Sequence, residues 1–159
     1  GVLSLIAASS LPVQGVVAMS TPYRLPDNVL LRFTGLISWF IPYMPKRKGT
    51  LDEGWFDKNA FKQHVSYSKN PVRSAGEFNQ LLGVMRESLS KVSVPVLLIH
   101  SRDDNYVIRD SMEKIHAALG SSDKRMLWVE GGGHVITEEP TREKVFKAAA
   151  DFINRVALA

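Results

Sequence analysis

The sequence predicts an α/β protein in which parallel strands alternate with flanking helices. Two observations lead to this fold class: short, β-branched apolar runs bounded by chain breakers, and longer segments with apolar residues at helical spacing. Uninterrupted apolar runs are typical of strands buried on both faces, as in a parallel sheet. The chain has 159 residues, 45% apolar and 23% charged, as in globular proteins.

The first elements are a helix and a strand. Residues 1–10 are good or neutral helix formers and end before Pro12. The chain opens at Gly1 with neither an initiator Met nor an N-capping side chain, so it reads as if entered in the middle of a helix. Gly15–Met19 is a continuous apolar run closed by polar residues and a proline, which predicts a buried strand.

The C-terminal half repeats this pattern. Val94–Ile99 predicts a second buried strand, in which Pro95 is tolerable because it lies near the start. Asp110–Leu119 has the spacing of an amphipathic helix and is stopped by Gly120. Met126–Val129 predicts a third strand.

The last helix has the clearest pattern. Pro140 suits its first turn. One stripe carries its apolar residues, namely Val145, Ala149, Phe152 and Val156. The alternation of helices and strands predicts a parallel α/β architecture.

A long segment between the first two strands breaks the alternation. Residues 23–75 hold most of the aromatic side chains, with several prolines, and predict short helices joined by loops. Residues 76–91 then predict a helix that returns to the sheet. We therefore expect a core made of residues 1–22 and 92–159, and a helical insertion over 23–75.

Composition excludes several classes of protein. There are 20 Lys and Arg against 16 Asp and Glu, a net charge of +4, and no Cys, so disulfides and thiolate metal sites are excluded. The small, scattered positive charge does not predict nucleic-acid binding. No apolar run reaches the ~18 residues of a membrane span. The basic triplet at 46–48 favours a solvated loop, with at most weak attraction to anionic lipid.

Candidate chemistry follows two of the predicted strands. Asp103 and Asp104 come just after the strand Val94–Ile99, and His134 follows a run of three glycines after Met126–Val129. In open α/β sheets functional groups lie beyond the carboxyl ends of the strands. A carboxylate there would accept the Nδ1–H of His134 and fix its tautomer.

The other histidines and the serines carry weaker signals. We expect His100 to be a hydrogen-bonded core residue, and His64 and His116 to lie at the surface. Ser4, Ser20 and Ser101 are available as nucleophiles, but none stands in the Gly-x-Ser-x-Gly turn that exposes a reactive serine. The residues alone thus supply two members of a three-member relay.

Three stretches give the sequence a specific resemblance. Residues 15–22, 95–104 and 132–137 resemble the C-terminal part of bacterial carboxylesterases, α/β-hydrolases close to the monoacylglycerol lipases. The resemblance implies that Asp104, rather than Asp103, is the catalytic acid, that His134 is the base, and that the insertion is a cap over the site. It implies a Ser-His-Asp mechanism on carboxylic esters or acylglycerols, without metal or cofactor.

The resemblance also accounts for the start of the chain. The first helix resembles the one that follows the nucleophile turn in these enzymes, which implies a nucleophilic Ser two or three residues before Gly1. We expect the 159 residues alone to be inactive for lack of that oxygen.

Five residues are candidates for substrate binding. Trp39, Phe40 and Tyr43 belong to the insertion, where they would form either an apolar wall for an acyl chain or the insertion's own small core. Val107 and Val135 lie on the loops that carry Asp104 and His134.

Two alternatives remain open. In the first, the chain is a non-catalytic fragment or interaction module. It then associates with an N-terminal half or with itself through the apolar edge of Gly15–Met19. Thioesterases, dehalogenases, peptidases and lyases also share the implied scaffold. In each case we expect a cytoplasmic protein without stable membrane insertion.

Overall fold

The computed structural model describes residues 1–46 and 54–158. Within these ranges the α-helices are α1 (Val2–Ala8), α2 (Thr34–Phe40), α3 (Lys58–Gln63), α4 (Val72–Ser88), α5 (Ser111–Ala118) and α6 (Arg142–Ala157). The strands are β1 (Val16–Met19), β2 (Tyr43–Pro45), β3 (Lys69–Pro71), β4 (Val96–Ser101) and β5 (Lys124–Val129). Short 3-10 helices cover Val29–Phe33 and Leu89–Lys91. Arg47 and Lys48 of the basic triplet lie outside the described residues.

The main sheet has the strand order β1-β4-β5, and both pairings are parallel. Val96 of β4 pairs with Val16 on one side and with Lys124 on the other. All six residues of β4 are buried, because this strand has a neighbour at each edge and helices against each face. The parallel sheet with flanking helices confirms the predicted fold class.

Two apolar clusters fill the faces of the sheet. One packs α1, α4 and α5 against alternate strand residues, and includes Leu5, Leu82, Leu98 and Ile115. The other packs α6 against the opposite face through Ile99, Val145 and Phe152. Successive β4 residues point to opposite clusters, as the period of two of a strand requires. The sheet is thereby fixed from both sides, and its strand ends become a rigid platform.

The returning helix begins earlier than the sequence analysis indicated. The predicted span was 76–91, whereas α4 starts at Val72 and gives way to a 3-10 turn at Leu89. Pro71 stands at the N-cap with extended backbone. A proline there requires no amide partner, and the buried Val72 fixes the first turn against its neighbours.

The segment that joins β1 to α4, residues 20–71, is called here the connecting segment. It contains the predicted short helices, but also a two-stranded antiparallel sheet that the sequence analysis missed: Tyr43 pairs with Pro71. Each of these strands has three exposed residues, too few to leave a periodic pattern. Among the described residues, no helix is long and apolar enough to cross a bilayer.

Candidate active site

Asp104 and His134 meet at the carboxyl edge of the main sheet. Asp104 lies on the loop after β4 and His134 on the loop after β5, and these strands are neighbours. The Nδ1–H of His134 donates to Oδ2 of Asp104 at 2.8 Å. The Asp104 side chain is 4% exposed and the imidazole 38%, so the acid lies behind a base that reaches the surface of the site.

The Asp104 carboxylate is held by its own loop. Its Oδ1 accepts hydrogen bonds from the backbone N–H groups of Tyr106 at 2.8 Å and Val107 at 3.0 Å. Burial alone raises the pKa of the Asp104 carboxyl, but the hydrogen bond and charge of His134 and the two N–H groups outweigh it and hold the pKa below its ordinary value. The Asp104 carboxyl is therefore ionised at neutral pH, with its negative charge beside the imidazole.

Asp103, the other candidate acid, has a different partner. Its Oδ2 accepts the N–H of Gly131 at 2.7 Å, which fixes the start of the glycine run. Gly131 has a φ of +78°, a conformation that a glycine adopts without strain. The structure thus brings Asp104, and not Asp103, to the His134 imidazole.

Two serines also hold the loop that carries His134. The Ser20 hydroxyl, just after β1, donates to the backbone oxygen of His134 at 2.7 Å. The Ser101 hydroxyl, at the end of β4, donates to the backbone oxygen of Gly132. Both were considered as nucleophiles from the sequence, and here both bind backbone oxygens of the loop.

Glu139 is a site residue that the sequence analysis did not identify. Its side chain is fully buried, and Oε1 accepts the N–H of Gly133 at 3.0 Å. Because it precedes a helix in an acidic, proline-containing stretch, its sequence context indicates only a solvated residue near a helix start. No local signal distinguishes it from Glu138.

The burial of the remaining histidines differs in part from the prediction. His100 is buried as expected, and its Nε2 accepts the N–H of Thr21 at 2.9 Å. Burial lowers the pKa of His100 to about 4, with opposing effects from the charges of Asp104 and His134. The predicted surface position of His64 is wrong: it is partly buried, because α3 packs toward the His134 loop and places Nδ1 2.9 Å from Glu138 Oε2. His116 is also partly buried, with Nε2 3.3 Å from the Lys124 backbone oxygen.

A cavity of about 890 Å³ adjoins the imidazole. His134 and Val135 form part of its lining, and most of the rest comes from the connecting segment and the start of α4. The apolar lining residues include Leu30, Leu31, Ile37, Met44, Pro45, Trp55, Phe61, Pro71, Val72 and Ala75. A mainly apolar lining with a few polar groups is typical of binding cavities for small molecules.

The other predicted substrate-binding residues lie elsewhere. Trp39 and Phe40 are 83% and 81% exposed, and Tyr43 is also exposed; none of them is among the described residues that line the 890 Å³ cavity. Val107 is buried beside Asp104 and lines a smaller cavity of about 210 Å³. The structure thus brings Val135 to the larger cavity, and the part of the others in binding stays a prediction.

Comparison with known proteins gives one family. Residues 2–141 match the family described as serine aminopeptidase, S33. A carboxylesterase of Bacillus subtilis is 22% identical over 156 residues, which are 98% of this chain and 61% of that protein.

Solved structures agree with this match. A metagenome-derived lipolytic enzyme superposes with a TM-score of 0.80 at 24% identity, covering 97% of this chain and 61% of its own. The monoacylglycerol lipase of Paleococcus ferrophilus gives 0.78 at 17% identity, covering 100% of this chain and 66% of its own. A soluble variant of Saccharomyces cerevisiae monoglyceride lipase gives 0.77 at 17% identity, with 98% and 61% covered. The predicted resemblance is confirmed, and this chain spans 61% of the length of the curated relative it matches.

Proposed function

The chain belongs to the serine aminopeptidase S33 family, and we propose that it supplies the base and the acid of a serine hydrolase that acts on carboxylic esters. The observation that carries the proposal is the 2.8 Å hydrogen bond from His134 to Asp104 beside an apolar cavity. The similarity to a carboxylesterase and to monoacylglycerol lipases favours esters over the other substrates of this scaffold.

In the proposed reaction a serine hydroxyl attacks the ester carbonyl. Nε2 of His134 takes the serine proton, and the negative charge of Asp104 stabilises the imidazolium that forms. When the tetrahedral intermediate collapses, His134 gives that proton to the departing alcohol and an acyl-serine remains. Water then attacks the acyl carbonyl and gives a proton to His134, which returns it to the serine oxygen as the carboxylic acid leaves. None of these steps needs a metal or a cofactor.

We propose that the attacking serine is supplied by residues that precede Gly1 in the complete protein. The contacts of Gly1 support this position. A Cβ built on Gly1 would lie 1.7 Å from Oγ1 of Thr21, so the start of α1 packs directly against the loop after β1. The neighbouring Ser20 is bonded to the His134 backbone, and these two contacts together support a start of α1 near the base.

The cavity suggests the substrate. Its mainly apolar lining fits the acyl chain of a short- or medium-chain ester or of a monoacylglycerol. We propose that the connecting segment is the cap that encloses this chain. The opposite alternative, a non-catalytic module, would leave the 2.8 Å dyad and the cavity beside it without a use.

The edge of β1 suggests a partner. Among the described residues β1 pairs only with β4, and an unpaired strand edge favours association. We propose that this edge pairs with a strand from the N-terminal part of the hydrolase, with pairing to a second copy as the alternative. Sedimentation of the 159-residue chain tests this, and a stable 17.7 kDa monomer would count against it.

The proposed function is tested with two polypeptides. One is this chain, and the other is the same chain preceded by the residues that its gene encodes upstream. We expect the longer protein to hydrolyse p-nitrophenyl butyrate and to react with a fluorophosphonate, and we expect the shorter one to do neither. His134→Ala abolishes the hydrolysis, while His116→Ala on α5 serves as the matched control and leaves it unchanged.

Two results would contradict the proposal. Absence of ester hydrolysis by the longer protein would remove the assigned reaction. Hydrolysis by the shorter chain that disappears in His134→Ala would show that the nucleophile lies within the 159 residues.

A further inference from the structure

Glu139 joins two segments that are far apart in the chain. One carboxylate oxygen, Oε1, accepts the N–H of Gly133 at 3.0 Å. The other, Oε2, accepts the N–H groups of Phe56 at 3.1 Å and Asp57 at 3.0 Å. The first donor adjoins His134, and the other two belong to the connecting segment. A single buried side chain therefore bonds both the loop of the base and the segment opposite it.

The His134 loop and the connecting segment approach so closely at Gly133 that no side chain fits there. A Cβ built on Gly133 would lie 1.7 Å from the backbone oxygen of Gly54 and 2.8 Å from Glu139 Oε1. Gly54 precedes Trp55, which is buried and lines the 890 Å³ cavity. The backbone of the cavity wall and the backbone of the His134 loop are thus in direct contact, with Glu139 behind them.

The same connection continues into α3. Asp57, whose N–H is bound by Glu139, accepts with Oδ1 the N–H groups of Asn59 and Ala60 and so caps this helix. At the far end of α3, His64 is bonded to Glu138. Helix α3 is therefore anchored at both ends on residues 138 and 139. It contributes Phe61 to the cavity lining.

We propose that Glu139 is a positioning residue that holds the base and the cavity wall in one fixed arrangement. Its catalytic meaning rests on the proposed ester hydrolysis. Glu139 does not contact the His134 imidazole; it acts through the Gly133 backbone on one side and through Phe56 and Asp57 on the other. A shift of either segment moves the bound ester relative to Nε2 of His134, and misplacements of about 1 Å cost on the order of 100-fold in rate.

Glu139→Gln is a specific test because it keeps the size of the side chain. A carboxylate offers only acceptors, and here it meets three N–H donors. The amide of Gln replaces one oxygen with an NH₂ group, which faces an N–H donor in either orientation. One of the two segments must then separate. Glu139→Asp is the second variant, since it keeps the charge but is one methylene too short to reach both sides.

The first experiment uses the protein with its upstream residues and does not depend on activity. Amide hydrogen exchange is followed by NMR at Phe56, Asp57 and Gly133, together with the imidazole nitrogen resonances of ¹⁵N-labelled His134. We expect these amides to be protected in the wild type, and Glu139→Gln to accelerate exchange at one side or both by about tenfold or more. The His134 resonances shift as well. The matched control is Glu143→Gln, on the exposed first turn of α6, which changes none of these signals.

The second experiment uses the protein with its upstream residues. We expect Glu139→Gln to lower kcat for p-nitrophenyl butyrate on the order of 100-fold and to raise KM for the octanoate ester, because base and cavity wall lose their common anchor. Glu139→Asp gives intermediate values. A side chain that only stabilises the fold would lower the unfolding temperature and leave kcat per folded molecule unchanged.

The outcomes separate the two proposals. Exchange at Phe56, Asp57 and Gly133 that is fast in the wild type, or no faster in Glu139→Gln than in Glu143→Gln, overturns the role of Glu139. If the Gln variant fails to fold, fast exchange in the wild type alone still overturns this role of Glu139. Lack of ester hydrolysis by the longer wild type overturns the proposed function and leaves the exchange result to decide whether Glu139 joins the segments.

Discussion

The Ser20 hydroxyl donates to the backbone oxygen of His134 at 2.7 Å, so the end of β1 is tied to the loop after β5 across the end of β4. Ser20 has a φ of +45°, which is unusual for a residue with a side chain. The hydrogen bond to the His134 backbone gives a reason for a serine, rather than a glycine, in this conformation.

Substitution of Ser20 separates the hydrogen bond from the backbone conformation. Ser20→Ala loses the bond and keeps the unfavourable φ, so we expect the free energy of unfolding to fall by about 1 kcal/mol. Ser20→Gly also loses the bond but accepts the left-handed conformation, and is expected to be about 1 kcal/mol more stable than Ser20→Ala. Urea denaturation of both variants measures the difference. Equal stabilities would show that the φ of Ser20 carries no cost.

His100 makes stability depend on pH. Its pKa is about 4 in the folded chain and about 6.5 when unfolded, so between these values the unfolded state binds the proton more readily. Stability is therefore full above pH 6.5, and it falls by up to about 3 kcal/mol as the pH decreases to 4. We expect His100→Gln to flatten this part of the profile in urea titrations at pH 7 and 4.5. An unchanged slope would contradict the neutral, hydrogen-bonded state of His100.

Asparagine substitutions distinguish the roles of Asp103 and Asp104. In the proposed mechanism the charge of Asp104 stabilises the imidazolium. We therefore expect Asp104→Asn, in the protein with its upstream residues, to lower kcat about a thousandfold or more. Asp103→Asn keeps an oxygen that can accept the Gly131 N–H, so the loss is less than about tenfold. Ester hydrolysis by both variants decides between them. A larger loss for Asp103→Asn would move the catalytic acid to that residue.

Close backbone contact makes Gly133 sensitive to a single methyl group. Gly133→Ala places a Cβ 1.7 Å from the Gly54 oxygen, and we expect a loss of about 3 kcal/mol or more of stability. The control is Gly35→Ala on α2, where no atom lies within 4 Å of the new Cβ, and where helix propensity predicts a gain of about 0.5–1 kcal/mol. Thermal unfolding compares the two. A well-folded Gly133→Ala protein would show that the segments can move apart at little cost.

Acyl preference distinguishes between binding of the acyl chain in the cavity and binding on the exposed aromatic residues. Val135→Trp fills space beside His134, so we expect kcat/KM for octanoate to fall about tenfold or more relative to acetate. Trp39→Ala removes an exposed ring outside the cavity, and the ratio of octanoate to acetate stays at the wild-type value. A changed ratio in Trp39→Ala would return Trp39 to the acyl-binding surface predicted from the sequence.

The structural elements that leave a local pattern in the sequence were predictable. The apolar run of β4 and the stripe on α6 identify their elements because burial sets their periodicity, and adjacency of parallel strands brings Asp104 toward His134. The pairing of Tyr43 with Pro71, the burial of Glu139 and the partial burial of His64 depend on contacts between distant segments. No pattern within a few residues encodes them, so they emerge only when the chain has folded.

The central pairing of Val16 with Val96 encloses the whole connecting segment in one loop. The entropy of closing such a loop increases only with the logarithm of its length, by about 0.6 kcal/mol per doubling. Insertions and deletions between β1 and β4 are therefore inexpensive as long as the residues bound by Glu139 return to their positions. Changes of length there would alter the lining of the 890 Å³ cavity, while Asp104 and His134, on the loops after β4 and β5, would keep their positions.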